Sequence, residues 1–204
     1  MIKACNLFCG VGGNRKLWQN VDVTAVELDP KIAAIYQDFF PDDKVVVADA
    51  HEYLLNHYSE YDFIWASPPC PTHSDIRRCG VQKGQYKALY PDMMLYQEII
   101  LLMHFAPKKC KWVIENVKPY YDLLIKGQYR GRHMFWSNFR IHHIKTSASE
   151  IDTMNNKKGK DKTGFDLSPY DRIDKRKAYR NCVDSKLGLH VFNCAFKNIQ
   201  DRLF

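Results

Sequence analysis

Five short apolar runs, each ending on residues able to bind or react, constrain this chain more than any other feature. They span 3–8, 22–26, 44–48, 61–66 and 111–114, and longer amphipathic or polar stretches separate them. The stretch 30–39 puts Pro30 at a first helical position, with Ile32, Ala33, Ile35, Tyr36 and Phe39 on a helical period. Residues 91–105 repeat that pattern, with apolar side chains at 94, 95, 99, 102 and 103. Strands alternating with helices predict an α/β fold, a Rossmann-like, doubly wound and mostly parallel sheet. A helix start over 14–20, a hairpin or two late strands over 128–136 and 138–144, and a closing helix over 187–204 complete the expected elements. Residues 155–163 read as a polar, lysine-rich loop and as the segment most prone to disorder.

In open sheets of this kind ligands bind at the carboxyl ends of the strands. The first run leads into Phe8-Cys9-Gly10-Val11-Gly12-Gly13, where glycines permit a tight turn and close approach of a ligand to backbone. The second ends at Glu27-Leu28-Asp29 and the third at Asp49-Ala50; an acid at such an end accepts hydrogen bonds from ribose hydroxyls. Together these predict a nucleoside pocket. The fourth run ends in Ser67-Pro68-Pro69-Cys70-Pro71, a cysteine held between prolines whose fixed φ serves geometry rather than strand pairing. A thiol there needs neighbouring cations to become a thiolate. The fifth ends at Glu115-Asn116-Val117, where an apolar approach desolvates the Glu115 carboxyl and favours the protonated form that a proton donor requires. Arg130 and Arg132, two residues apart, point to one face if they share a strand.

Composition sets the remaining bounds. The 204 residues suit about one domain, and 46% hydrophobic content rules out global disorder. The seven cysteines form no C-x-x-C pair and no Cys/His cluster, so neither a disulfide framework nor a metal site is expected. With no apolar run long enough to span a bilayer and no signal sequence, the expectation is a cytoplasmic protein without a membrane partner. Charge is uneven: residues 1–106 carry 9 Lys+Arg against 13 Asp+Glu, and 107–204 carry 21 against 10. That asymmetry suggests a cationic face for a polyanion.

Taken in order, Asn6-Leu7-Phe8-Cys9-Gly10-Val11-Gly12-Gly13, Glu27-Leu28-Asp29, Asp49-Ala50, Pro68-Pro69-Cys70 with Ser74, Glu115-Asn116-Val117 and Gln128-Tyr129-Arg130-Gly131-Arg132 resemble the blocks of the DNA (cytosine-5) methyltransferase family. The resemblance covers roughly residues 4–140. An amino-group methyltransferase would instead carry an aromatic residue at the position of Cys70. The resemblance implies a class I S-adenosylmethionine-dependent methyltransferase fold, with S-adenosylmethionine as cofactor and S-adenosylhomocysteine as product. It implies Phe8, Gly10, Gly12, Gly13, Glu27, Leu28, Asp49, Ala50, Pro69 and Leu95 along the cofactor, with Glu27 on the ribose and Asp49 on the adenine amino group. Cys70 would attack carbon 6 of a cytosine flipped out of double-stranded DNA; Glu115 would protonate nitrogen 3, and Arg132, assisted by Arg130, would engage the base carbonyl or the thiolate.

Departures from the pattern lie in the last third. Domain boundaries are expected at 1–142 for the catalytic domain, 143–180 for a short variable region in place of a target recognition domain, and 181–204 for a segment packing back on the catalytic domain. The family's closing block, a Gly-Asn-Ser/Thr-Val turn opening a helix near the cofactor, is matched to Phe192-Asn193-Cys194-Ala195, making Asn193 a further cofactor residue. So short a recognition region leaves room for a partner subunit that reads sequence, and a bacterial or phage origin with a restriction-modification role is in keeping. Two alternatives stand beside the DNA enzyme. One is an RNA (tRNA) cytosine-5 methyltransferase, although the Cys-Phe-Thr tripeptide of those members is absent; the other is a non-catalytic nucleic-acid-binding module.

Overall fold

A computed structural model describes residues 1–143 and 156–196. Strands β1 (Ile2–Leu7), β2 (Val21–Glu27), β3 (Lys44–Val47), β4 (Phe63–Ala66), β5 (Lys111–Val117), β6 (Gln128–Arg130) and β7 (His133–Ser137) form one sheet in the spatial order β3-β2-β1-β4-β5-β7-β6. The first five pair in parallel, while β7 is antiparallel to both β5 and β6. The sheet is thus the doubly wound α/β architecture expected, and its strand order reverses between β1 and β4. Leu7 and Ala66 are paired in register at the carboxyl ends of these two strands.

Helix α1 (Pro30–Phe39) begins where Asp29 accepts the Lys31 N–H and Pro30 takes an early position with no N–H to satisfy. Helices α2 (Ala50–His57) and α4 (Met94–Phe105) cover one sheet face, burying Leu54, Leu95, Ile99 and Leu102 over Leu7, Ile64, Ala66 and Ile114. Helix α3 (Asp75–Gln82) interrupts the polar stretch before α4, started by Ser74, whose Oγ accepts the Arg77 N–H. The opposite face holds Ala4, Val23, Phe63, Trp65, Val113 and Phe135, and α7 (Ser185–Phe196) lies across it through Leu187, Val191 and Phe192. Alternation of buried side chains along each strand supplies both apolar faces.

Several expectations are corrected. Residues 14–20 form turns rather than a helix, because α7 from the far end of the chain fills that face. A Cβ on Gly188 would lie 2.4 Å from the Asn14 carbonyl oxygen, and Trp18 stacks on Phe192 at 5.2 Å while its Nε1–H donates to the Gly188 carbonyl. The lysine-rich stretch is helical over α5 (Asn156–Thr163), where Gly159 lies against the Tyr179 ring of α6 (Lys175–Asn181); Asn155 lies outside the described residues. The closing helix stops at Phe196 among the described residues, and 197–204 lie outside them, as does the final residue of the expected late strand 138–144. Residues 138–143 carry no strand. Phe165, Leu167 and Tyr179 pack with Val11 and Ile35, so the basic C-terminal part shares a core with the glycine turn and α1. Among the described residues no helix is long and apolar enough to cross a membrane.

Trp18→Ala removes a buried indole that bridges α7 to the sheet. It should cost about 3–5 kcal/mol of stability, measurable as a shift in urea midpoint at unchanged slope.

Candidate active site

The turn after β1 depends on left-handed backbone. Phe8, Gly10 and Gly12 have φ of 54°, 53° and 85°, a region costly for residues with a side chain. A Cβ on Gly12 would sit 2.3 Å from the Phe40 ring, and one on Gly13 would sit 2.3 Å from the Val183 carbonyl oxygen. The turn is tied down by buried Asn14, whose Nδ2–H donates to Asn6 Oδ1 at 2.8 Å. Glu27 holds it from the second strand: one carboxylate oxygen accepts the Gly10 N–H at 3.0 Å and the other accepts the Asp29 N–H at 3.1 Å. Each oxygen retains a further lone pair for a ligand hydroxyl.

Beside this carboxylate the surface is apolar and open. Leu28 is 66% exposed, and Val47 is also exposed. Half-buried Phe8 meets the His51 ring edge-on at 5.0 Å. Asp49 caps α2 by accepting the His51 and Glu52 N–H groups on one oxygen, Oδ1. A flat apolar face flanked by two carboxylates, next to a glycine turn, suits the adenosine of S-adenosylmethionine. Ala50 and Leu95 are buried in the core beneath, with Phe8 packed against the same cluster.

The proline-cysteine loop is anchored on both sides. The Trp65 indole donates to Ser67 Oγ, the Ser67 N–H donates to the Leu7 carbonyl, and Asn116 Nδ2–H donates to the Pro68 carbonyl at 3.0 Å. The Cys70 carbonyl accepts the His73 and Ser74 N–H groups, turning the chain into α3. Pro68 is buried, Pro69 is exposed and Cys70 is half-buried.

Glu115 lies within β5, which continues to Val117 rather than ending at Ile114. It is 6% exposed, and its Oε1 lies 2.6 Å from Nδ1 of His133, also buried. Arg132 Nε–H donates to Nε2 of the same ring at 3.3 Å. Arg130 and Arg132 do not share a strand face: β6 ends at Arg130, and Gly131, at φ 61°, turns the hairpin before β7 begins. The Arg130 guanidinium bonds the carbonyls of Tyr129, Ile141 and His142, while Arg132 is exposed.

Electrostatics link these groups. Burial pushes the Cys70 thiol up, and the Glu115 carboxylate pushes it further; its own backbone N–H and the Arg132 and Arg180 guanidinium groups pull the other way. The charges of Glu115, Arg132 and Arg180, the last on α6, thus all act on the Cys70 thiol.

Asn193 is not in a turn that opens a helix. It lies in the third turn of α7, beyond Phe192 and short of Phe196, the two rings that pack on Phe63 at the opposite sheet edge. The turn opening α7 beside Gly13 is formed by residues 182–185, with the Leu187 N–H donating to Asp184 Oδ1. An aspartate cap three residues before the apolar series Leu187, Val191, Phe192 was the signal for it. Asn14, His133, Arg180 and Asp184 join the site without having been picked out in the sequence.

The family model of C-5 cytosine-specific DNA methylase matches residues 2–123. No curated protein matches the chain. Among solved structures, similarity extends to a hypothetical protein of Thermus thermophilus, with 15% identity, TM-score 0.46 and coverage of 66% of this chain and 73% of that one. A DNMT2 mutant of Spodoptera frugiperda shares 19% identity at TM-score 0.38, over 58% of this chain and 36% of its own. The Entamoeba histolytica methyltransferase EhMeth shares 17% identity at TM-score 0.39, over 57% and 38%. The chain thus spans little more than a third of the latter two. With the matched region holding the glycine turn, the strand-end carboxylates Glu27 and Asp49, the Pro-Pro-Cys loop and Glu115, the chain belongs to the C-5 cytosine-specific DNA methylase family, methyltransferases whose methyl donor is S-adenosylmethionine.

Proposed function

We propose that this protein methylates carbon 5 of cytosine in DNA, acting on a base swung out of the duplex and held by a transient bond to Cys70. The convergence of the Cys70 thiol, the Glu115 carboxyl and the Arg132 guanidinium at neighbouring strand ends, beside the glycine turn, carries this reading. Cytosine carbon 5 is a poor nucleophile, and addition of a thiolate at carbon 6 divides one hard step into easier ones. S-adenosylmethionine supplies the electrophilic methyl group when bound. Phe8 and Leu28 pack on its adenine, Glu27 takes the ribose hydroxyls and Asp49 the adenine amino group. Gly10, Gly12, Gly13, Ala50, Pro69 and Leu95 line the same pocket in this reading, and Asp184 stands in for Asn193 at the helix-opening turn.

The residues then divide the work. The Cys70 thiol gives its proton to solvent, the thiolate sulfur bonds carbon 6, and the displaced electron pair moves toward nitrogen 3, which takes a proton from Glu115. Arg132 faces the base carbonyl. After carbon 5 has gained its methyl group, loss of its proton to a base expels the thiolate and restores the ring. Extruding the target costs a few kcal/mol, and the cationic C-terminal part, with 21 Lys+Arg in residues 107–204, offers phosphate contacts to offset it. We assign residues 1–142 to catalysis and 181–204 to packing on that unit. Residues 143–180 stand where a larger recognition region would be, which leaves a place for a partner subunit. The DNA reading is favoured over RNA by the family matched and by the missing Cys-Phe-Thr tripeptide.

Two experiments test this. A duplex carrying 5-fluorocytosine should form a denaturation-resistant adduct in the presence of S-adenosylmethionine, because fluorine cannot leave as a proton. Cys70→Ala should form none while still binding the cofactor in titration calorimetry, and an adduct surviving in that variant rules Cys70 out. The second concerns the resting thiol. A cysteine at its usual value near 8.5 is about 3% ionised at pH 7, and a raised value leaves less. Glu115→Gln removes a like charge, so iodoacetamide should alkylate the Cys70 peptide faster, by up to about tenfold. Arg132→Ala should slow it. Burial pushes Cys110 and Cys182 up to about 12, so peptide mapping by mass spectrometry separates Cys70 from them.

A further inference from the structure

The antiparallel register of β5 and β7 sets Glu115 opposite Phe135, which places His133 diagonally across on the same face. A diagonal neighbour is within reach of a long side chain, and Glu115 Oε1 lies 2.6 Å from His133 Nδ1, with the two side chains 8% and 10% exposed. The other ring nitrogen, Nε2, faces Arg132 Nε at 3.3 Å. An arginine Nε–H can only donate, so Nε2 accepts and the ring hydrogen resides on Nδ1, pointing at the carboxyl. Arg132, His133 and Glu115 thus form a directed chain of donors. No described residue bonds the second Glu115 oxygen.

We propose that His133 is a positioning residue for the methyl transfer: it holds one Glu115 oxygen by its Nδ1–H and turns the other toward nitrogen 3 of the cytosine. The inference rests on the assignment of Glu115 as the acid. As the base docks, Glu115 takes up a proton from solvent; the protonated oxygen donates to the base, and the oxygen facing His133 accepts as a neutral carbonyl. As sulfur bonds carbon 6, the proton passes from Glu115 to nitrogen 3 and leaves a carboxylate. The His133 hydrogen bond then becomes charge-assisted and strengthens as the barrier is crossed. The His133 ring keeps its own proton throughout, and the proton on nitrogen 3 returns to Glu115 when the pyrimidine regains aromaticity. Arg132 is aimed by the same imidazole, which consumes its Nε–H and leaves the two terminal nitrogens for the substrate.

An interaction that grows in the transition state lowers kcat when lost, with little change in KM. His133→Phe retains the ring volume but no donor; His133→Asn keeps an N–H near the position of Nδ1. With duplex DNA and S-adenosylmethionine, H133F should lower kcat about tenfold or more, the effect of losing roughly 1.4 kcal/mol, with KM for DNA and cofactor affinity within about twofold. H133N should recover most of the loss. A kcat within twofold of the native protein in H133F, or an H133N no better than H133F, overturns the proposal. If H133F does not fold, H133L takes its place in the same comparison. Trapping on 5-fluorocytosine separates the two levels: a native adduct whose rate of formation is untouched by H133F defeats the positioning role alone, whereas no native adduct defeats the reading of the site as well.

Discussion

The reversal of strand order between β1 and β4 is the constraint on which the rest depends. Because the chain winds outward through β2 and β3 and then returns to the other side of β1, Leu7 and Ala66 lie side by side at the carboxyl ends of adjacent strands. Two loops far apart in sequence, 8–13 and 67–70, therefore border one crevice. Hydrogen bonds keep them there: Ser67 N–H to the Leu7 carbonyl, Asn14 to Asn6, and Asn116 to the Pro68 carbonyl. The antiparallel β5–β7 pair then brings His133 and Arg132 to Glu115.

Electrostatics explain why such a site need not be reactive by default. Burial and the Glu115 carboxylate hold the Cys70 thiol protonated against the pull of Arg132 and Arg180. In the proposed reaction, a base that shares a proton with Glu115 weakens the repulsion keeping sulfur neutral while Arg132 remains. Thiolate formation is thereby coupled to occupancy by substrate, and a protein without a target base presents a quiet cysteine. Arg180 belongs to the segment that packs on α1 through Phe165, Leu167 and Tyr179, so that segment also adds to the electrostatic field at Cys70.

Legibility from sequence followed the range of the signal. Helix α1 could be read because its determinants are local, with Asp29 and Pro30 at its start and a regular apolar stripe. The carboxyl-edge residues could be read because each ends an apolar run. Helix α3 was hidden because it is short and polar on average, with Gly80 its one buried residue and the Ser74 cap marking its start. The 14–20 stretch misled because its face is filled by α7 from 170 residues away, as the Trp18–Gly188 bond shows. The hairpin at Gly131 separated two arginines that looked like strand neighbours, and Asn193, matched on residue type, lies inside α7 rather than at a helix-opening turn. His133 could not be found at all without the β5–β7 register, since nothing local ties it to Glu115.

Carbon-5 chemistry through sulfur addition leaves a record on the substrate itself. DNA tritiated at cytosine carbon 5 should release one tritium to water for each methyl group it gains, and neither event should occur with Cys70→Ala. Methyl groups incorporated while the tritium stays on the base would place the reaction at another atom and contradict the account.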